Sequence, residues 1–425
     1  MFAPSVGGLQ QTTNYKIVLP FYAYASFAFL VAAVLLFFNT DLIVTNYINP
    51  RALALTHTMA LAWGTMIIFG ASYQLLPVLI EGKLKSEKLA YSTLIFSGIG
   101  IPILIYGFYV FDFHYLMPLG AILVNLGILS YFINVLLSAF ESKKQNVHAW
   151  FIITASLWLL STTIFGMLLV FNLEYQFLMK DSWSYLSIHA HLGIVGWFLL
   201  LVIGVGSRLI PMFLISKYEN TKALWRIFIL INSGLIAFII FQIFHIDKLY
   251  LFLPIFLILG GVANFVYYIL QARKVRIRRR VDNQVKTSIF SVIQMLLPIL
   301  VLVIIVLFLP TKTNLNVTML YGFTIFFGWI TAIILGMTYK TLPFIVWNKV
   351  YDSKARRGKT LTPKDLFNEK MYDVGVIAYL SGFFIFILGV IIVNSFLLKL
   401  GAAGLVVSAA LYFINTSKTI LHKTK

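Results

Sequence analysis

Stretches of about 20 apolar residues recur along the chain, separated by short polar loops, and that is the length a helix needs to cross the hydrocarbon core of a bilayer. Twelve such windows can be read, at roughly 17–39, 50–80, 89–111, 116–140, 149–172, 183–215, 223–244, 249–272, 286–309, 318–347, 371–393 and 396–416. The fold class expected is therefore all-α, a polytopic membrane protein of twelve transmembrane helices. Composition agrees, with 60% hydrophobic and only 11% charged residues. The N-terminal segment MFAPSVGGLQQTTNYK lacks a basic region ahead of a short apolar core, so the first span is expected to act as its own insertion signal.

The formal charge of +19 does not point to nucleic acid, because the basic residues fall almost wholly in alternate loops. Loops after even-numbered spans carry Lys83, Lys85 and Lys88; Lys143 and Lys144; Lys217, Lys222 and Arg226; ARKVRIRRR at 272–280; and KVYDSKARRGK at 349–359. By the positive-inside rule both termini are expected on the cytoplasmic side of the cell's inner membrane, with the starts of spans 2, 6 and 10 on the outer side. The basic runs set orientation and add affinity for anionic headgroups. The chain has no cysteine, which excludes disulfides, thiolate metal ligands and iron–sulfur clusters. Any metal chemistry must draw on histidine, methionine, tyrosine or a carboxylate.

An internal repeat organises these spans. HTMALAWGTMIIFGASYQLLP (57–77), HLGIVGWFLLLVIGVGSRLIP (191–211) and FTIFFGWITAIILGMTYKTLP (323–343) share W-x6-G-x6-P: Trp63, Gly70, Pro77; Trp197, Gly204, Pro211; Trp329, Gly336, Pro343. Seven residues advance a helix by two turns with a lag of about 20°, so the three positions form one stripe. The glycine lets a neighbouring helix or a flat ligand approach closely. Because the motif falls on spans 2, 6 and 10, it implies three pseudo-symmetric four-helix units, at about 17–140, 149–272 and 286–416.

The repeat also sorts the histidines. His57 and His191 share one repeat position, where the third copy has Phe323; His189 corresponds to Leu55 and Tyr321. At 1.5 Å per residue, each lies about 30 Å from its repeat proline, near the outer end of the helix. His57 and His191 at matching depth suit two axial ligands on one heme iron. Residues two apart point about 200° apart, so His189 must serve another site, on the other side of span 6. Hydrogen bonding between helices without a cofactor, or a polar cavity, is the other use such residues have. His114 and His245 fall in outer loops, as hydrated residues or rim contacts to a cofactor propionate. At the inner end, Gln74, Arg208 and Lys340 share a position three residues before the proline, where snorkelling to the headgroups or contact with an anion or quinone is expected; Tyr73 and Tyr339 beside them fit the interfacial aromatic belt. Asn125, Asn134 and Asn264 read as bridges between helices.

HTMALAWGTMIIFGASYQLLPVLIEGK resembles the second helix of heme-copper oxidase subunit I, the superfamily of cytochrome c oxidases, quinol oxidases and nitric oxide reductases. HAHLGIVGWFLLLVIGVGSRLIPMF is similar to that family's H-x-H helix. The resemblance implies His57 and His191 as low-spin heme ligands and His189 as the high-spin ligand, with b-type heme, one or two, as the cofactor. It stops short of a copper centre. Here the H-x-H pair is on span 6 rather than span 10, and span 7, ALWRIFILINSGLIAFIIFQIF, lacks the family's copper-site histidines. The carboxylate relays of a proton pump are also missing from the spans.

The function expected is a heme-binding membrane protein in electron transfer, or in binding or reduction of a diatomic gas such as oxygen or nitric oxide. Its partners would be the lipid bilayer, an electron donor such as cytochrome c or quinol, and companion subunits. A cofactor-free transporter with a histidine-lined path, and a heme-binding sensor or assembly protein without turnover, are the other classes considered.

Overall fold

The computed structural model describes residues 13–45, 49–142, 146–277, 279–308, 315–351 and 361–423. The loop residues Lys143, Lys144 and Lys312, most of the 349–359 run and both extreme termini lie outside them. Among the described residues twelve helices are long and apolar enough to cross a membrane: α1 Tyr15–Thr40, α2 Pro50–Leu79, α3 Glu87–Val110, α4 Leu116–Phe140, α5 Val147–Tyr175, α6 Ser182–Leu214, α7 Thr221–Ile243, α8 Leu249–Lys274, α9 Asn283–Leu307, α10 Val317–Tyr351, α11 Glu369–Ile392 and α12 Ser395–Ile420. Several begin on an asparagine or serine whose side chain accepts a backbone N–H of the first turn, as Asn49, Ser86, Asn146, Asn220, Asn368 and Asn394 do.

α2, α6 and α10 form the interior. Of the most apolar 18 residues in each helix, 78% are buried in α2 and 61% in α6 and α10, against 28–50% in the other nine. The repeat glycines show how the outer helices close onto this centre. A Cβ placed at Gly70 would lie 2.9 Å from Phe21 Cβ of α1, one at Gly336 would lie 2.7 Å from the Gln284 carbonyl oxygen of α9, and one at Gly204 would collide with Phe151 Cβ of α5. Any side chain at these positions would push the neighbouring helix outward. The glycine therefore receives a helix rather than a ligand.

Each central helix widens to i→i+5 hydrogen bonding at the same repeat position, over Thr58–Thr65, Leu192–Leu199 and Thr324–Ile330. In the third copy Gly328 leaves helical geometry altogether (φ −88°, ψ −117°). The widened turns carry the repeat tryptophans, which tie the centre together. Trp197 Nε1 of α6 donates to Thr65 Oγ1 of α2 at 3.0 Å, and Trp63 Nε1 of α2 donates to Thr331 Oγ1 of α10 at 3.2 Å. Both acceptors stand two residues after a repeat tryptophan. The corresponding residue of α6 is Leu199, whose side chain has no acceptor, so Trp329 cannot complete the ring.

Two further bonds recur at matching places. Tyr131 of α4 meets Ser72 of α2 at 2.7 Å, and Tyr412 of α12 meets Thr338 of α10 at 2.9 Å. In the middle of the chain Phe265 and Gly206 stand instead, in apolar contact. Asn134 clamps the backbone of Ser86 at the start of α3, accepting its N–H at 3.1 Å and donating to its carbonyl at 2.8 Å; Asn415 does the same to Asn368 at the start of α11, both at 2.9 Å. Asn125 bridges α4 to the Thr163 carbonyl of α5 at 3.1 Å, whereas Asn264 bonds only the Gly260 carbonyl of its own helix.

Three expectations for the basic end need correction. Tyr73 and Tyr339 are buried and bonded to Thr93 and Thr416, not placed in an interfacial belt. Lys340 does not snorkel: it is paired with Asp282, and both side chains are only 9% exposed. The Asp282 carboxylate holds its ammonium at the wall of a cavity beside the α9–α10 contact and makes burial tolerable.

Candidate histidine site between α2 and α6

His57 and His191 are the last residues before the widened turns of their helices, and both rings are oriented in the same way. His57 Nδ1 lies 2.8 Å from the Leu53 carbonyl oxygen, and His191 Nδ1 lies 2.8 Å from that of Ser187, in each case four residues earlier. A carbonyl can only accept, so Nδ1 carries the hydrogen and Nε2 keeps its lone pair. Tying one nitrogen to the backbone fixes the tautomer and aims the other, which is how proteins commonly prepare a metal-ligating imidazole.

The ring facing His57 belongs to His189, two residues before its repeat counterpart. The two ring centres are 6.3 Å apart with planes 25° from parallel. His57 is backed by Phe108 of α3, stacked at 4.3 Å. His189 sits over Gly166 of α5, where an added Cβ would be 2.6 Å from the imidazole Cε1. Its Nδ1 is buried and has no hydrogen-bond partner. A buried imidazole nitrogen left without a partner is uncommon in a finished packing arrangement and marks a place where a ligand is expected.

His191 faces the other way, as the angle between residues two apart requires. Its ring packs against Phe238 of α7 at 4.5 Å, and Tyr321 of α10 places its hydroxyl 3.1 Å from His191 Nε2. The lone pair at Nε2 accepts that hydroxyl hydrogen. His57 and His191, expected as facing ligands, are thus divided between two contacts: His57 with His189, and His191 with Tyr321.

The remaining histidines have ordinary partners. His114 Nδ1 is 3.2 Å from a Glu174 carboxylate oxygen, and His245 Nε2 is 2.7 Å from Lys180 Nζ. His148 is buried at the opposite end of α5, with Nδ1 3.1 Å from the Gly204 carbonyl. His422 Nε2 meets the Tyr351 hydroxyl at 3.0 Å. Sequence reading passed over Gly166 and Phe108, which shape the site, because neither lies on a helix that carries the tryptophan–glycine–proline motif and a glycine or phenylalanine in a membrane span carries no chemical signal.

The two imidazoles lie close enough, with ring centres 6.3 Å apart, that both would contact a group held between α2 and α6. Among the described residues there is no group of three or more His, Asp or Glu that could hold a metal ion. Two imidazoles alone are a poor cage for a bare ion, which wants three or four protein ligands. They would suffice to hold the iron of a heme. The chain matches no protein-family model and no curated protein.

Proposed function

We propose that the chain is a heme-binding integral membrane protein related to heme-copper oxidase subunit I, in which His57 of α2 and His189 of α6 hold the iron of a b-type heme. The observation that carries this reading is the facing imidazole pair at 6.3 Å, with one Nδ1 tethered to the backbone and the other buried without a partner. A bound heme would supply a one-electron centre, suited to passing electrons or to chemistry on a diatomic gas such as oxygen or nitric oxide. The protein's part is to aim His57 through the Leu53 carbonyl, to make room for His189 over Gly166, and to keep water away with Phe108. His191 belongs to a second site, where Tyr321 occupies its lone pair.

The wider setting is proposed on the same footing. The chain sits in the inner membrane with both termini cytoplasmic, since basic residues crowd alternate loops. Its twelve helices form three four-helix units about a pseudo-threefold axis, a grouping supported by the recurring Trp–Thr, Tyr–Ser/Thr and Asn–backbone bonds. Electrons would come from cytochrome c or a quinol, with partner subunits contributing.

Protein purified after expression with ample heme is expected to show a Soret band and a low-spin spectrum. His57→Ala and His189→Ala should each abolish the low-spin signal, and His191→Ala should preserve it. A wild-type protein without a Soret band would overturn the reading, and loss of the low-spin signal in His191→Ala alone would overturn the ligand assignment.

A further inference from the structure

At the basic end of the bundle a cavity of about 280 Å³ opens between the end of α6, the start of α9, α10 and the 363–369 segment. Its polar floor is Asp282, held by Lys340 and, at 3.2 Å, by Lys364. Two ammonium groups share one carboxylate. Beside them Gln284, only 3% exposed, lines the cavity, and its side-chain Nε2 is buried without a hydrogen-bond partner. An amide N–H can only donate, so the group missing from this floor is an acceptor, and the lysines favour one that is negatively charged.

The walls define the rest of the ligand. Phe213, Phe344 and Met212 are apolar, and Met212 and Phe344 are exposed on the flank of the bundle that a bilayer would cover. α6 stops at Leu214, α9 starts at Asn283 and α11 starts at Glu369, all around the cavity, which sets it at the depth where helices leave the hydrocarbon. Glu369, the one other carboxylate on the lining, is exposed in the first turn of α11, where the helix dipole and solvent take up its charge. Lys364 is held in place because Asn415 of α12 clamps the Asn368 backbone and Thr362 with Asp365 caps the short turn.

We infer that this cavity binds the phosphate of an acidic membrane phospholipid, with Gln284 and Lys364 donating to the phosphate and the acyl chains leaving past Met212 and Phe344. The site is independent of the histidine pair and of any heme.

The test uses the full chain in mild detergent, with phosphatidylglycerol, phosphatidylcholine and inorganic phosphate as separate probes, read by native mass spectrometry and melting temperature. One phosphatidylglycerol should be retained about tenfold more tightly than phosphatidylcholine, and Gln284→Leu should remove about that tenfold. Lys364→Gln, on an exposed side chain, should keep the fold without lipid yet retain less phosphatidylglycerol. Equal retention of the two lipids by the wild type would overturn the inference, as would unchanged phosphatidylglycerol binding in Lys364→Gln, which decides the matter if Gln284→Leu does not fold. Stabilisation by inorganic phosphate equal to that by phosphatidylglycerol would overturn the assignment to a membrane lipid.

Discussion

His189 owes its position to an absence on the neighbouring helix. Gly166 offers the imidazole a seat that a single methyl group would occupy, since the added carbon would be 2.6 Å from Cε1. If the heme reading holds, Gly166→Ala is therefore expected to displace the ring and weaken heme retention at least about tenfold while the twelve-helix fold survives, because the change inserts one methyl at one contact. Pigment content against melting temperature checks it: loss of both together would make Gly166 a packing residue only. The histidines themselves were legible in the sequence, since ionisable groups in apolar spans stand out and the repeat ranked them. Their seats were not, because a glycine announces close approach without saying to what.

The widened turns of α2, α6 and α10 are the elements that hold the centre together, and their tryptophan bonds can be measured. Thr65→Val and Thr331→Val should each destabilise the protein by about 1 kcal/mol by leaving a buried indole N–H unpaired. Leu199→Thr supplies the acceptor that α6 lacks and should raise stability when Trp329 is present, but not in Trp329→Phe; additivity in that double-mutant cycle would show that no bond forms. The start of α9 responds to pH. Burial pushes the Asp282 carboxyl up, but its bonds to Lys340 and Lys364 outweigh that and hold it below the ordinary range. A lowered carboxyl contributes stability that is complete above the unfolded value of about 3.9 and is lost as pH falls through the lower folded value. Melting temperatures between pH 5 and pH 2 should fall more steeply in the wild type than in Asp282→Asn. Helix positions were plain from apolar run length, but this ion pair was not, because its partners lie 58 residues apart and Asp282 is outside every apolar run.

Across the whole molecule one offset explains which side chains meet. In a head-to-tail ring, neighbouring helices touch through different surfaces, so residues at equivalent repeat positions do not face each other. Position p of α6 meets position p+2 of α2, as Trp197 meets Thr65 and His189 meets His57. α2 meets α10 in the same way through Trp63 and Thr331, and α10 meets α6 through Tyr321 and His191. The expected pairing of His57 with His191 assumed that equal depth means contact, which a two-fold arrangement would allow and a cyclic one forbids. Tyr321 thus occupies, against His191, the place that His189 occupies against His57. If the heme reading holds, Tyr321→His should create a second facing pair and raise the low-spin heme content from one to about two per chain, measured as pyridine hemochrome per protein. No rise would show that this seam lacks space for the macrocycle.

The missing acceptor at Leu199 bears on mechanics as well as on stability. Among the described residues only the seam between α6 and α10 shows no tryptophan latch, and it is fastened at one end by Tyr321 and His191 and at the other flanks the cavity over Asp282. A sleeve of helices pinned in this uneven way is most compliant along that line. Slow breathing of the bundle, sampled as amide hydrogen exchange, should begin on α10 facing α6, and an occupant of the cavity would act as the wedge or clasp that sets how far the seam opens.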